Sequence, residues 1–242
     1  MKLALIGHGA MGQLVERLAL AEGHEVATVL ARRESSFRTE ELAEILGGHD
    51  AVVDFTVAEA VPRHAEACAL ARVPLVEGTT GWHASLEDVR RTVERAEGAL
   101  IYGANFSVGV NLFYRVVARA AELFRGFDYA PFVEEAHHSR KRDAPSGTAL
   151  RLRDILAASY ASEIPVASTR AGHIPGTHRV GFDSEADQVL LTHTARSREG
   201  FAAGALVAAR WIQGRRGVYE FSEVIDEILK GGGGSPTVRE GV

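Results

Sequence analysis

The sequence predicts an α/β protein in two parts. A doubly wound parallel sheet is built from residues 1–107 and completed by 200–242, and an α+β domain with a mixed sheet occupies 108–199. Three observations lead there. Short apolar runs alternate with helix-period segments from Lys2 to Tyr102, as in consecutive βαβ units. A glycine pattern, Gly7-x-Gly9-x-x-Gly12, falls between the first apolar run and the first helix. Beyond Val108 few parallel units can be drawn, so a mixed sheet with helices on one face is expected there.

The elements justify this in order. Leu3 to Ile6 reads as a buried strand, and the helix after the glycines carries Leu14, Val15, Leu18 and Leu20 as its apolar members. Glycines at those places permit a tight turn, close approach of a pyrophosphate and close helix–strand packing, the features of a Rossmann-type dinucleotide turn. Gly7, His8, Gly9, Ala10, Met11 and Gly12 are therefore candidate cofactor-binding residues, with His8 lining the turn rather than doing chemistry. The second strand is Glu25 to Leu30. An acid often follows this strand in NAD-binding sheets, where it holds the ribose hydroxyls, but this chain reads Ala31-Arg32-Arg33. Two guanidiniums where a 2′-phosphate would lie favour NADP(H), with NAD(H) as the second choice. The competing reading leaves both arginines in solvent and turns Glu34 inward.

A third strand, Ala51 to Thr56, leads to a helix bearing Val61, Ala65, Cys68 and Leu70. Pro74 to Glu77 is a fourth strand and ends in Gly78-Thr79-Thr80-Gly81-Trp82. A helix with Leu86, Val89 and Val93 precedes the fifth, Leu100 to Tyr102, which ends in Gly103-Ala104-Asn105-Phe106-Ser107. Such sheets bind ligands at the C-terminal strand edge, where the loops Phe55-Thr56, Gly78 to Thr80 and Gly103 to Phe106 fall. In the second domain a helix through Leu112, Val116, Val117 and Leu123 leads to a strand, Ala130 to Ala136. A helix follows over 147–160, then extended runs at Val166 to Arg170 and Gln188 to Ala195. Phe201 to Ile212 reads as a helix returning to the first domain, and Val218 to Leu229 closes it. Gly231 to Pro236 reads as a flexible tail.

Bulk properties narrow the class. With 242 residues, 46% hydrophobic and 24% charged, the chain is long enough to bury a core. A net charge of −5 argues against nucleic acid as a general partner. One cysteine, Cys68, excludes an internal disulfide framework and fits a reducing cytosol. The run Leu3 to Ile6 is too short for a signal peptide and nothing approaches membrane-spanning length. The expected location is cytoplasmic, without a membrane partner.

The chemistry concentrates between Glu135 and Ala149. His137-His138-Ser139-Arg140-Lys141-Arg142 puts five basic or imidazole side chains into six residues. Pro145-Ser146-Gly147-Thr148 then opens an apolar-periodic run, which marks a helix start with Ser146 as its N-cap. The unpaired N–H groups of such a start suit a carboxylate or a phosphate. Of 27 Lys plus Arg only three are lysines, Lys2, Lys141 and Lys230, and Lys141 alone is interior. Arginine cannot release its proton near neutral pH, whereas a lysine ammonium can. A solvated basic loop is the bland alternative. The paired histidines, the lone lysine and the helix start together favour an active site.

This stretch resembles the signature of the dihydrodipicolinate reductase family, which follows Glu-x-His-His with Lys-x-Asp-x-Pro-Ser-Gly-Thr-Ala. Here those positions are Glu135, His137 and His138, then Lys141, Asp143 and Pro145 to Ala149. Gly78-Thr79-Thr80-Gly81 and Asn105 to Asn111 are similar to two further words of that family, and the resemblance runs as far as Lys230. It implies NAD(P)H-dependent reduction of cyclic 4-hydroxy-tetrahydrodipicolinate, with loss of water, on the diaminopimelate route to lysine. It implies that His137 and Lys141 handle protons, that His138 contacts the dicarboxylate substrate, and that Gly147 and Thr148 hold a carboxylate. It makes Phe55, Thr56, Gly78, Thr79, Thr80, Gly103, Ala104, Asn105 and Phe106 the nicotinamide-side residues. A homotetramer is the expected assembly, because a mixed sheet of this kind often forms the oligomer contact. The family often has an acid at position 31, so Ala31 is a departure that bears on cofactor choice.

Three other readings stand beside this one. A zinc site would use His137, His138 and two of His173, His178 and His193, yet no cysteine is near and no His-Glu-x-x-His spacing exists; no metal is expected. A dinucleotide-sensing module explains the glycines but leaves His137 and Lys141 idle. Another two-domain dehydrogenase requires a different catalytic motif, which the sequence does not offer.

Overall fold

The computed structural model describes residues 1–31 and 37–231, and the chain divides into two compact units. Met1–Ser107 with Phe201–Val242 form the first and Val108–Gly200 the second. The first unit contains β1 (Lys2–Ile6), β2 (Glu25–Leu30), β3 (Ala51–Asp54), β4 (Leu75–Glu77), β5 (Ala99–Tyr102) and, after the second unit, β10 (Gly217–Glu220). They form one sheet in the order β10-β5-β4-β3-β1-β2, with every pair parallel. The winding reverses at β1, so the loops after β1 and β3 are neighbours, the usual place for a ligand in such sheets.

Among the described residues the helices of this sheet are α1 (Ala10–Ala21), α2 (Thr39–Leu46), α3 (Val61–Ala71), α4 (Leu86–Arg95), α7 (Glu199–Ile212) and α8 (Phe221–Gly231). Cover on both faces explains the unbroken apolar runs, since Leu3, Ala4, Leu5 and Ile6 are all at most 2% exposed. Ala4, Ile6, Val52, Leu75 and Leu100 pack with Leu42 and Leu46 of α2, Ala65 and Cys68 of α3, and Val89 and Val93 of α4. The alternate residues Leu3, Leu5, Val53, Val76 and Ile101 point to the other face and are equally buried. Each large side chain so buried is worth about 1.5–3 kcal/mol. On α7, Gly204 lies so close to the Phe106 carbonyl that a Cβ would stand 1.6 Å from its oxygen.

The second unit contains α5 (Val108–Phe124), β6 (Ala130–His137), α6 (Gly147–Ala157), β7 (Val166–Arg170), β8 (Thr177–Asp183) and β9 (Gln188–Thr194). Its sheet runs β7-β6-β8-β9, parallel between β6 and β7 and antiparallel elsewhere. Val133, Val180 and Phe182 pack against Phe113, Val117 and Ala121 of α5 and Leu152 and Leu156 of α6. On the other sheet face Glu134, Arg179 and the 49%-exposed Leu190 are exposed, and among the described residues of this unit no helix packs there.

Several of the apolar residues that mark these helices in the sequence face solvent. Leu20, Leu70 and Leu123 are each 55% exposed, and Leu112 and Val116 are exposed as well. On α5 the buried stripe is Val110, Phe113, Val117 and Ala121, spaced three and four apart, and Val116 sits about 100° off it. β3 stops at Asp54, two residues before the expected Thr56. The closing segment from Val218 is a strand running straight into a helix, and β8 is a strand that no clean alternation announces. Among the described residues no helix is long and apolar enough to cross a membrane.

Candidate active site

The glycine turn of the first unit is shaped by backbone. Gly7 N–H donates to the Leu30 carbonyl at 2.8 Å, Phe55 N–H to Ile6 at 3.0 Å and Gly78 N–H to Asp54 at 2.9 Å, so the loops follow one another along the sheet edge. Gly7 has φ +90°, and a Cβ there would lie 2.4 Å from the Phe55 carbonyl oxygen; on Gly12 it would lie 2.0 Å from that of Gly7. Gly9 is the opposite case. It is the N-cap of α1, a Cβ on it would meet nothing within 4 Å, and the first turn of α1 contains no acid. The N–H groups of Ala10, Met11 and Gly12 thus open the helix as a bare, electropositive end, which fits a dinucleotide pyrophosphate. His8 is exposed beside it, its Nε2 2.7 Å from Glu16.

The neighbouring loops hold one another. Thr56 N–H donates to the Thr79 hydroxyl at 2.9 Å, and the Trp82 ring N–H to the Thr79 carbonyl at 2.9 Å. A Cβ on Gly78 would enter the Phe55 ring at 2.1 Å, so that loop closes only with glycine. Thr80 and Ala104 are exposed at the edge, while Gly103 is buried. Asn105 accepts the Ser107 N–H at 2.9 Å through its side chain. Phe106 is 2% exposed and packs its ring on Phe221 at 4.8 Å, so its side chain belongs to the core and only its backbone borders the edge. Arg32 and Arg33 lie outside the described residues. A cavity of about 500 Å³ among His49, Arg72, Glu97 and Arg216 is at the opposite end of these strands.

In the second unit β6 ends at His137 and the chain returns to start α6 at Gly147. Ser146 caps that helix, its Oγ accepting the Ala149 N–H at 3.2 Å while lying 3.0 Å from His178 Nε2. Glu135 and His137, two apart on β6, face the same way, and His137 Nδ1 hydrogen-bonds the Glu135 carboxylate. Strand register puts Glu135 opposite Ser168 on one side and His178 on the other. The Arg170 guanidinium clasps both Glu135 oxygens, at 2.6 and 2.8 Å, and also donates to the Asp143 carbonyl at 2.5 Å. Ser146 N–H adds a donor to Glu135 at 3.3 Å.

The electrostatics follow from these contacts. Burial alone would raise the Glu135 carboxyl, but hydrogen bonds from Arg170, Ser168 and His137 outweigh it and bring the pKa to about 2. Burial lowers the pKa of His137, opposed by Glu135 and reinforced by the cations Lys141 and Arg170, so the ring is neutral at pH 7. The ionised Glu135 takes the proton on Nδ1, which makes Nε2 the acceptor; a Cβ on Gly176 would stand 3.2 Å from that atom. Burial, with His137 next in weight, brings His178 down to about 4. Lys141 Nζ lies 2.8 Å from the Asp143 carboxylate, a contact that holds the Asp143 carboxyl below its usual range.

His138, half-buried, keeps a buried ring Nδ1 without a protein partner. Gly147 and Thr148 form the first turn of α6, where the Thr148 hydroxyl hydrogen-bonds Tyr114 of α5. The structure bears out Ser146 as the N-cap, joins Glu135, Asp143 and His178 to His137 and Lys141, and adds Arg170, which sequence reading did not name as a site residue. Glu135 was legible, because a period of two from His137 puts it on the same face; Arg170 and His178 arrive only through strand register. Among the described residues, Glu135, His137 and His178 bring possible metal-ligand atoms within 4.8 Å of one another. Arg170 already holds both Glu135 oxygens there, so a metal ion would have to displace a guanidinium.

A parallel sheet of this winding, opened by a bare glycine turn, has the architecture of a dinucleotide-binding unit, the class to which pyridine-nucleotide oxidoreductases belong. Residues 1–106 match the family model for the N-terminus of dihydrodipicolinate reductase and residues 109–225 the model for its C-terminus. A 4-hydroxy-tetrahydrodipicolinate reductase of Christiangramia forsetii is 33% identical over 95% of this chain and all of its own. The protein of that name from Archaeoglobus fulgidus is 37% identical, over 88% of this chain and 94% of its own. A solved dipicolinate-bound dihydrodipicolinate reductase from Paenisporosarcina sp. TG-14 has the same fold, with a TM-score of 0.78 at 23% identity over 93% of this chain and 99% of its own. The chain belongs to the dihydrodipicolinate reductase family, a family of pyridine-nucleotide-dependent reductases.

Proposed function

We propose that this protein reduces 4-hydroxy-tetrahydrodipicolinate to tetrahydrodipicolinate, with loss of water, at the expense of NAD(P)H on the diaminopimelate route to lysine. One observation carries the reading. The stretch from His137 to Thr148 gathers an imidazole, an ammonium and a helix N-terminus, in a chain whose relatives bear that enzyme's name over nearly their whole length. The bound dinucleotide supplies a hydride. The turn from Gly7 to Gly12 takes its pyrophosphate on the N–H groups of α1, and Phe55-Thr56, Gly78 to Thr80 and Gly103 to Phe106 receive the nicotinamide end.

The substrate is a small dicarboxylate. The first turn of α6, at Gly147 and Thr148, holds one carboxylate and His138 contacts the molecule; a helix N-terminus favours an anion by about 0.3–1 kcal/mol, more when partly buried. His137 and Lys141 are the proton-handling pair. The resting His137 ring is neutral, so Lys141, held by Asp143, is the group with a proton to give, from Nζ, to the charge that hydride addition leaves. His137, aimed by Glu135, returns or relays a proton at Nε2. Arg32 and Arg33 support NADPH as the preferred cofactor with NADH as the second. The exposed face of the β7-β6-β8-β9 sheet supports a homotetramer, and the single cysteine supports a cytoplasmic location. The decisive experiment follows the absorbance of reduced nicotinamide with enzymatically generated substrate and each cofactor in turn. Substrate-dependent oxidation of NADPH, faster than of NADH, is the expected result; oxidation of neither rejects the assignment.

A further inference from the structure

Beneath the loops assigned to the nicotinamide lies a polar cluster that no step above uses. Asp54 is the last residue of β3 and Glu77 the last of β4, paired directly across the sheet, and both are fully buried. His64 of α3, 1% exposed, places Nδ1 2.6 Å from Asp54 Oδ2. The other Asp54 oxygen, Oδ1, and one Glu77 oxygen, Oε2, are buried without an ordinary donor. Direct pairing at the strand ends sets the two carboxyl groups side by side, close enough for Asp54 to act on the ionisation of Glu77.

Two ionised carboxylates in contact inside a sheet would repel strongly, whereas one proton between Oε2 and Oδ1 satisfies both orphan oxygens. Burial first, and Asp54 next, push the Glu77 carboxyl well up, so Glu77 holds that proton. Cys68, one turn beyond His64, is pushed up by burial and by both acids, and contributes no charge of its own. The remaining Glu77 oxygen, Oε1, accepts the Thr79 N–H at 2.7 Å, and the Thr79 hydroxyl accepts the Thr56 N–H. A single chain of hydrogen bonds therefore runs from His64 through Asp54, Glu77 and Thr79 to Thr56, and ties the two loops together from below.

We propose that the Glu77–Asp54 pair, sharing one proton and braced by His64, consists of positioning residues for the two loops that receive the nicotinamide ring. The inference rests on the cofactor assignment proposed above. It is tested on the whole protein by calorimetric titration with two ligands: NADPH, and 2′-phospho-ADP-ribose, which has every part of NADPH except the nicotinamide. Glu77→Met keeps the length of the side chain but leaves Asp54 Oδ1 and the Thr79 N–H unpaired. It should weaken NADPH about tenfold, the order expected for a lost buried hydrogen-bond partner, and change 2′-phospho-ADP-ribose less than about twofold. Glu77→Gln should restore NADPH binding, because its amide donates to Asp54 and its carbonyl accepts from Thr79. A merely structural role would lower both affinities together, and that result overturns the proposal, as does a glutamine variant no better than methionine. If Glu77→Met does not fold, Thr79→Val, which breaks the next link, must show the same split; equal loss or no loss refutes the idea. A wild-type protein that binds neither ligand rejects the cofactor assignment instead.

Discussion

Lys141 is the residue on which the proposed chemistry turns. Lys141→Arg keeps the cation beside Asp143 but replaces an acid with a group that does not release its proton near neutral pH. Turnover should fall by about 10²–10⁴-fold with little change in substrate KM, the usual worth of a general acid, and a stopped-flow comparison with Lys141→Ala checks it. A near-wild-type rate would leave Lys141 as an electrostatic anchor and pass the acid role to His137. Glu135 has a different task. Glu135→Gln removes the buried charge that Arg170 clasps and that fixes the His137 proton on Nδ1, at a stability cost of about 3 kcal/mol readable in urea unfolding. His178 titrates at about 4 in the folded protein against 6.5 in a free imidazole, so between those values the unfolded chain binds more protons. Its contribution to stability is whole above about pH 6.5 and is lost as the pH falls toward 4. The melting temperature should drop across that window more in the wild type than in His178→Gln; identical curves would refute it.

At the scale of elements, the start of α6 does two jobs with one hydroxyl. Ser146→Ala removes the cap from Ala149 and the partner of His178 Nε2, and should cost about 1–2 kcal/mol by thermal or denaturant unfolding. That cap was readable in sequence, as was most of the parallel sheet, because both rest on local rules: a polar residue before an apolar-periodic run, and apolar runs punctuated by glycine. The elements that were not readable lack such a local mark. β8 turns His178 inward and places Gly181, where a Cβ would enter the Phe132 ring, at the next-but-two position, so its alternation is hidden. β10 has only four residues and passes into α8 without a loop. On α5 the strongly apolar Val116 and Leu123 point away from the stripe that packs, and a count of apolar residues cannot tell an inward face from an outward one. The site divides in the same way. His137, Lys141 and the helix start lie on one continuous stretch, whereas Arg170 and His178 reach Glu135 from two other strands.

For the whole molecule, the proposed tetramer makes the exposed face of the second sheet its contact surface, and Leu190→Arg should break it. Light scattering on the variant would show smaller species with helix and strand content unchanged; an intact tetramer would move the interface elsewhere. A last consequence comes from the order of strands in the first unit. β5 pairs with β10, and α7 supplies Ala202, Ala205, Leu206, Ala209 and Ile212 to the interior, yet these segments follow a whole second unit in the chain. During synthesis, residues 1–107 therefore leave the ribosome with β5 as a bare edge and one flank of the sheet unclad. At about 5–20 residues per second that state lasts roughly 5–20 s before the missing helix and strand emerge. An exposed strand edge of this kind invites pairing with other chains. Ribosome-bound chains halted near residue 107 should therefore be far more sensitive to protease than chains halted after α8 has emerged.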